Sequence, residues 1–265
     1  MKRLSEATAA VVVALVFAAP AAEARKCSND AVQVGALCVD KYEASAWEIP
    51  AGNTGLINLV KKGKATSAAS LGGATQRGVT SADYGTACPR NGGGCTGLYA
   101  VSIPGVTPAR FITWFQAAAA CRNAGKRLLT NQEWTVTAVG TPDPAPDNGT
   151  TDCNVNVVFP LDPASTGSRS GCVSDMGAMD MVGNLWEWVA DWMPFYTTCV
   201  SWDGPPFNNG DMKCLAGADD TVGPGALIRG GALADGAGAG PLAVSQLDPS
   251  SSSDPRVGFR CARAL

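Results

Sequence analysis

Hydrophobic positions in this chain are continuous in one stretch and periodic in a few others. The continuous run, Ala9 to Ala19, follows Lys2 and Arg3 and precedes Ala22-Glu23-Ala24. A positive start, an apolar run of about eleven residues and a small-x-small site are the parts of a secretory signal, so residues 1–24 are expected to be removed after Ala24. The run is too short to cross a bilayer, which takes ~20 residues. Lys26 just before Cys27 argues against a lipid anchor at that cysteine. No later run is long and apolar enough to be a membrane span.

From Cys38 the chain reads Cys-Val-Asp-Lys-Tyr-Glu-Ala, an alternation that predicts a strand. Residues 48–105 lose periodicity and are dominated by Gly, Ser, Thr, Pro and Asn, which predicts long loops with little regular structure. Order returns at Pro108. Thr113-Trp114-Phe115-Gln116 is a capping box, in which the Thr hydroxyl and the Gln side chain satisfy the first free amides. Ala117 to Ala120 propagate the helix, and Gly125 ends it with a left-handed cap. Thr130-Asn131-Gln132-Glu133 is a second capping box and opens a short helix carrying Trp134. After a Pro/Asp/Gly loop near 140–151, Trp186, Trp188 and Trp192 alternate with polar residues at the period of a strand, a stripe that reads as core. Ile228-Arg229-Gly230-Gly231 and Val257 to Arg263 predict two strands bracketing a surface-exposed insert.

Composition changes this picture in three ways. The 31 glycines and 17 prolines predict irregular backbone held by cross-links, and ten cysteines supply them. An even count in an oxidising compartment predicts up to five disulfides. Cys88 with Cys95, Cys153 with Cys172 and Cys199 with Cys214 fall in local pairs across loops, leaving Cys27, Cys38, Cys121 and Cys261. Each local closure contributes ~2–3 kcal/mol by restricting the unfolded chain. No clustered C-x-x-C spacing supports a thiolate metal site. The formal charge of −3, with no basic run, leaves no footprint for nucleic acid or a membrane surface. Finally, there is no histidine. That removes Ser-His-Asp and Cys-His relays, histidine-ligated zinc and histidine-ligated iron.

Four ordered blocks resemble the sulfatase-modifying-factor (formylglycine-generating enzyme) family. They are Asp40-Lys41-Tyr42-Glu43, the stretch from Ala120 to Trp134, Gly183-Asn184-Leu185-Trp186-Glu187-Trp188, and Arg229-Gly230-Gly231 with Gly258-Phe259-Arg260-Cys261. The likeness covers about 36–265 and implies one domain over 25–265. It also implies an α+β, C-type-lectin-like fold with short twisted sheets, two helices, many loops and a Cys121–Cys261 disulfide.

The resemblance carries chemical expectations too. Enzymes of the family oxidise a sulfatase cysteine, using two copper-holding cysteines shortly after the Arg-Gly-Gly block; none lies between Gly231 and Gly258 here. Neither copper nor iron is therefore expected, although a formylglycine-generating-type oxidoreductase remains the alternative reading. The likeness implies structural Ca²⁺ on the Glu187 carboxylate and the carbonyls of Val182, Gly183 and Leu185, with a further site near Asn154 and Asn156. Residues 232–256 resemble the variable region of diversity-generating-retroelement target proteins. The implied contact positions are Ala232, Leu233, Ala234, Asp235, Gln246, Asp248, Ser251, Ser253, Asp254 and Arg256. The leading expectation is an exported, secreted or periplasmic, non-catalytic domain showing this loop to a protein or glycan ligand. A purely structural envelope module is the third reading.

Overall fold

The structure, a computed structural model, describes residues 26–85, 88–143, 147–193, 200–201, 212–214, 225–246 and 248–265. The expected signal segment lies outside these residues. So does Cys199, and with it the expected bridge to Cys214.

In chain order the strands are β1 (Ala31–Val34), β2 (Leu37–Asp40), β3 (Ser45–Glu48), β4 (Thr75–Arg77), β5 (Leu98–Val101), β6 (Arg127–Leu128) and β7 (Trp186–Met193). They continue as β8 (Val200–Ser201), β9 (Met212–Cys214), β10 (Gly225–Arg229), β11 (Val244–Ser245), β12 (Val257–Phe259) and β13 (Cys261–Ala264). The α-helices are α1 (Thr54–Lys61), α2 (Trp114–Asn123) and α3 (Asn131–Ala138).

The two expected helices start where their caps dictate. Thr113 Oγ1 accepts from Gln116 N at 3.2 Å while Gln116 Oε1 accepts from Thr113 N at 3.1 Å. Thr130 and Glu133 repeat the exchange at 3.2 and 2.8 Å. Gly125, at φ 74°, lets the chain leave α2 with Lys126 N bonded to the Cys121 carbonyl and Gly125 N to that of Arg122. Those two bonds satisfy carbonyls that a helix end otherwise strands.

The stretch 48–105 is more regular than its composition predicts. It holds α1, capped by Asn53, and strands β4 and β5, which flank β3 in a three-stranded sheet. Only Leu56 and Val60 of α1 are buried, so the helix carries one apolar pair at i, i+4 and too little periodicity to stand out. The expected strand from Cys38 is likewise split. It breaks after Asp40, whose carboxylate turns in to meet Lys126 Nζ at 2.5 Å.

A four-stranded sheet runs β1-β2-β13-β6, so residues late in the chain are inserted between the opening hairpin and the segment after α2. A six-stranded sheet runs β12-β7-β10-β11-β9-β8. β7 is its spine, parallel to β12 and antiparallel to β10. Trp186 and Trp188 are buried as expected, with Trp188 Nε1 donating to the Ile112 carbonyl at 3.0 Å, whereas Trp192 is 40% exposed. The segment after Arg229 corrects another expectation. It is not wholly a surface insert, because β11 joins the large sheet between β10 and β9 and Ala239 packs beside the Cys153–Cys172 bridge.

Among the described residues four disulfides are present: Cys27–Cys38, Cys88–Cys95, Cys121–Cys261 and Cys153–Cys172. They fit an oxidising compartment. No helix among the described residues is long and apolar enough to cross a membrane. Replacing Cys121 and Cys261 by Ala opens a sequence separation of 140 residues, against 7 for Cys88 and Cys95. The first pair is expected to lower unfolding free energy by about 5 kcal/mol and the second by about 2 kcal/mol. Urea denaturation of the two double variants measures the difference.

Candidate functional site

Gly183 and Asn184 both adopt positive φ, 74° and 59°. A Cβ at Gly183 would run into the Asn154 carbonyl, and Asn tolerates the left-handed region better than most side chains. The turn drives the Asn184 side chain inward. Its Oδ1 accepts from Asn154 Nδ2 at 2.9 Å and Ala164 N at 2.8 Å, and its Nδ2 donates to Glu43. Its backbone N–H donates to the Asn154 carbonyl at 2.8 Å and its carbonyl accepts from Leu233 N at 3.0 Å. One residue thereby gathers four distant segments.

Three residues on, Glu187 meets Arg260, and both side chains are 1% exposed. Arg260 Nε lies 2.8 Å from each Glu187 oxygen and its Nη2 2.6 Å from Oε1. The remaining donors reach the carbonyls of Asp40 at 3.2 Å and Met179 at 2.9 Å. Trp134 Nε1 completes the carboxylate's shell, donating to Oε2 at 2.7 Å. The expected calcium ligand is therefore occupied by a guanidinium. Asn154 does not turn to join it; its Oδ1 accepts from Arg169 at 2.7 Å. Asn156 is exposed, its N–H bonded to Asp147. Among the described residues no three His, Cys, Asp or Glu side chains are arranged to hold a metal ion. Of the expected Ca²⁺ donors, the Glu187 carboxylate and the Asn154 side-chain oxygen are thus engaged by arginines and are not free to join the 6–8 oxygens that the ion takes.

Two more carboxylates share this interior. Burial pushes Glu43 well up, with Asp180 and Glu187 adding to the shift. Burial also pushes Asp180 up to about 6, opposed by the Gly167 N–H, Arg260 and Arg169. Glu43, Asp180 and Glu187 thus crowd three acids around one guanidinium.

At the surface the picture differs. A cavity of about 170 Å³ is walled by Trp186, Ile228 and Val257 and edged by Asp235, Ser245, Asp248, Asp254 and Arg256. Four of the expected contact residues meet here: Asp235, Asp248, Asp254 and Arg256. Asp254 holds Arg256 through Oδ1, at 2.7 Å from its N and 3.2 Å from its Nε. Asp235 accepts from Ala232 N at 2.8 Å and Asp248 from Ser252 Oγ at 3.0 Å. Burial raises the Asp248 carboxyl, and neighbouring Asp254 raises it further. Ala234 and Ser251 are exposed outside the cavity wall, and Ser253 donates to the Phe111 carbonyl at 2.6 Å. Ala232 and Leu233, each 0% exposed, and Gln246, 1% exposed, are buried rather than displayed at the surface. Sequence reasoning missed Trp186, Ile228, Ser245 and Val257 as cavity walls. Their strand positions were legible, but which side of a strand faces a depression depends on the neighbouring strands.

Residues 59–265 match the Sulfatase-modifying factor enzyme 1-like domain. Hercynine oxygenase of Mycobacterium tuberculosis is 32% identical over 141 residues, 48% of this chain and 32% of that protein. The formylglycine-generating enzyme of Thermomonospora curvata is 31% identical over 101 residues, 32% of this chain and 33% of its own. The chain thus spans about a third of the length of each of these relatives. Among solved structures, the Major Tropism Determinant U1 variant aligns at TM-score 0.46 and 20% identity over 87% of this chain and 50% of that one. CarF aligns at TM-score 0.44 and 14% identity over 86% of both chains.

Two measurements follow from the buried charges. A carboxyl raised by folding favours the folded state fully below its unfolded pKa and loses that contribution as pH rises through its folded value. Between pH 4 and 7 Asp180 is therefore expected to cost the protein stability, and Asp180→Asn to lose less, by on the order of 2 kcal/mol. Asn suits both the φ of 59° at this position and the acceptor role toward Gly167 N. Melting curves across pH read the difference. With Arg260 against Glu187, millimolar CaCl₂ or EDTA should move Tm by less than about 1 °C.

Proposed function

We propose that this chain, which belongs to the sulfatase-modifying factor enzyme 1-like family, is an exported, non-catalytic binding domain whose 232–256 segment offers the edge of the acidic cavity to a protein or glycan ligand. The observation that carries the reading is the chemistry around that cavity. It is edged by three aspartates and one arginine, with Trp186 as an aromatic wall. No cysteine stands between Gly231 and Gly258, and no histidine stands anywhere in the chain. Carboxylate, hydroxyl and guanidinium groups offer no soft donor for copper. What the rim can do is recognise hydrogen-bond donors and positive charge, with apolar contact to the indole. The signal-like residues 1–24 and the four bridges support export.

The names of the relatives favour the enzymatic alternative, and the test addresses it directly. Purified, disulfide-intact protein incubated with copper(I), oxygen, a thiol reductant and a cysteine-containing sulfatase peptide should yield no formylglycine by mass spectrometry. Catalytic appearance of formylglycine would overturn the binding reading. On arrays of glycans and basic peptides, Asp235→Asn with Asp248→Asn is expected to weaken the selected ligand by about tenfold, roughly the loss of one or two charge-assisted hydrogen bonds. Tm should stay close to that of the parent protein.

A further inference from the structure

The 232–256 segment contains no aromatic residue, yet surfaces of loops that bind proteins are anchored by rigid aromatic side chains. The structure places one immediately beside it. Val157 N donates to the Leu233 carbonyl at 2.7 Å and Gly236 N donates to the Val155 carbonyl at 2.9 Å. These two bonds lay residues 155–157 along the backbone that carries Asp235, at the cavity edge. Past Val157 the chain turns outward, leaving Val158 83% and Phe159 89% exposed. They are the most exposed large apolar side chains among the described residues.

The tip is held at both flanks. On the far side Arg110, 5% exposed, donates from Nη1 to the Leu161 carbonyl at 2.8 Å and pairs through Nη2 with Asp162 at 2.7 Å. On the near side Asp147 accepts from Val155 N and Asn156 N, each at 3.1 Å. A pinned loop loses little conformational entropy on binding, and an exposed apolar pair gains by being covered. Burying such a side chain contributes ~1.5–3 kcal/mol.

Charge selects among possible covers. Of the carboxylates near the tip, Asp147 is buried against Arg169 and Asp162 is paired with buried Arg110, which leaves Asp235 as the carboxylate that the tip shares with the cavity edge. Along the cavity edge Asp248 and Asp254 outnumber Arg256. An anionic bilayer is repelled by such a rim, and a basic protein surface is attracted.

We infer that the Val158–Phe159 tip and the Asp235 edge of the cavity form a single docking face for a protein partner, the tip entering an apolar socket bordered by lysine or arginine. This rests on the binding reading above and names its partner class. The probe is a fluorescein-labelled amphipathic Leu/Lys helical peptide, which presents an apolar stripe bordered by ammonium groups, titrated into the full mature protein. Phe159→Ser is expected to weaken binding by about tenfold. Asp235→Asn should weaken it as well, and a Leu/Glu peptide should not bind. Both positions are at the surface, so unchanged melting curves show that each variant is folded. The inference fails if Phe159→Ser binds the peptide as the parent does. It fails equally if the protein floats with phosphatidylcholine or phosphatidylglycerol vesicles in a Phe159-dependent way, which assigns the tip to lipid. Loss of binding in Asp235→Asn but not in Phe159→Ser leaves the cavity reading standing and removes only the tip. Formylglycine production removes the cavity reading itself.

Discussion

The fold is arranged around a guanidinium buried in its interior. Arg260 can be buried only if each of its donors finds an acceptor, since an unpaired charge in a protein interior costs several kcal/mol. Those acceptors come from β2, from the turn before β7 and from β7 itself, with Trp134 of α3 sharing the carboxylate. Four remote pieces of chain must therefore be in register at once. A buried pair of this kind adds little net stability compared with apolar residues of the same shape. What it does here is penalise every arrangement in which those pieces are misplaced. Asn184, at the turn before Glu187, extends the same demand to Glu43, Asn154, Ala164 and Leu233.

This also explains which features were readable along the chain. Capping boxes, the glycine after α2 and the Cys88–Cys95 and Cys153–Cys172 bridges depend on residues close in sequence, and these appear where expected. α1 escaped notice because a single buried Leu56–Val60 pair is a weak periodic signal. The burial of Ala232, Leu233 and Gln246 escaped because small and polar residues resemble a solvated loop until β10 and β9 are seen on either side of β11. The Glu187–Arg260 pair spans 73 positions, and nothing local tells a carboxylate whether its partner is a metal ion or a guanidinium. Glu187 was expected as a calcium ligand; its carboxylate is paired with Arg260.

The cavity sets a rigid frame apart from a loosely held edge. Its walls are supplied by β7, β10, β11 and β12, strands that the buried polar network holds in place, so Trp186 and Ile228 are positioned whatever occupies the edge. The edge residues are loosely coupled to that frame. Asp248, Asp254 and Arg256 bond chiefly to each other or to close neighbours in sequence. Substitution there alters charge and shape while the supporting strands stay put. That is the division of labour between rigid support and variable loop that recognition proteins exploit.

The insertion of β13 between β2 and β6 has a consequence for the timing of folding. Until residues 257–264 have been synthesised, the opening hairpin and the helical region lack the strand that joins them, Cys121 lacks its bonding partner, and Glu187 faces an empty place where Arg260 belongs. The nascent polypeptide thus cannot lock prematurely. It can complete its buried network and its long-range bridge only once the last strand has emerged.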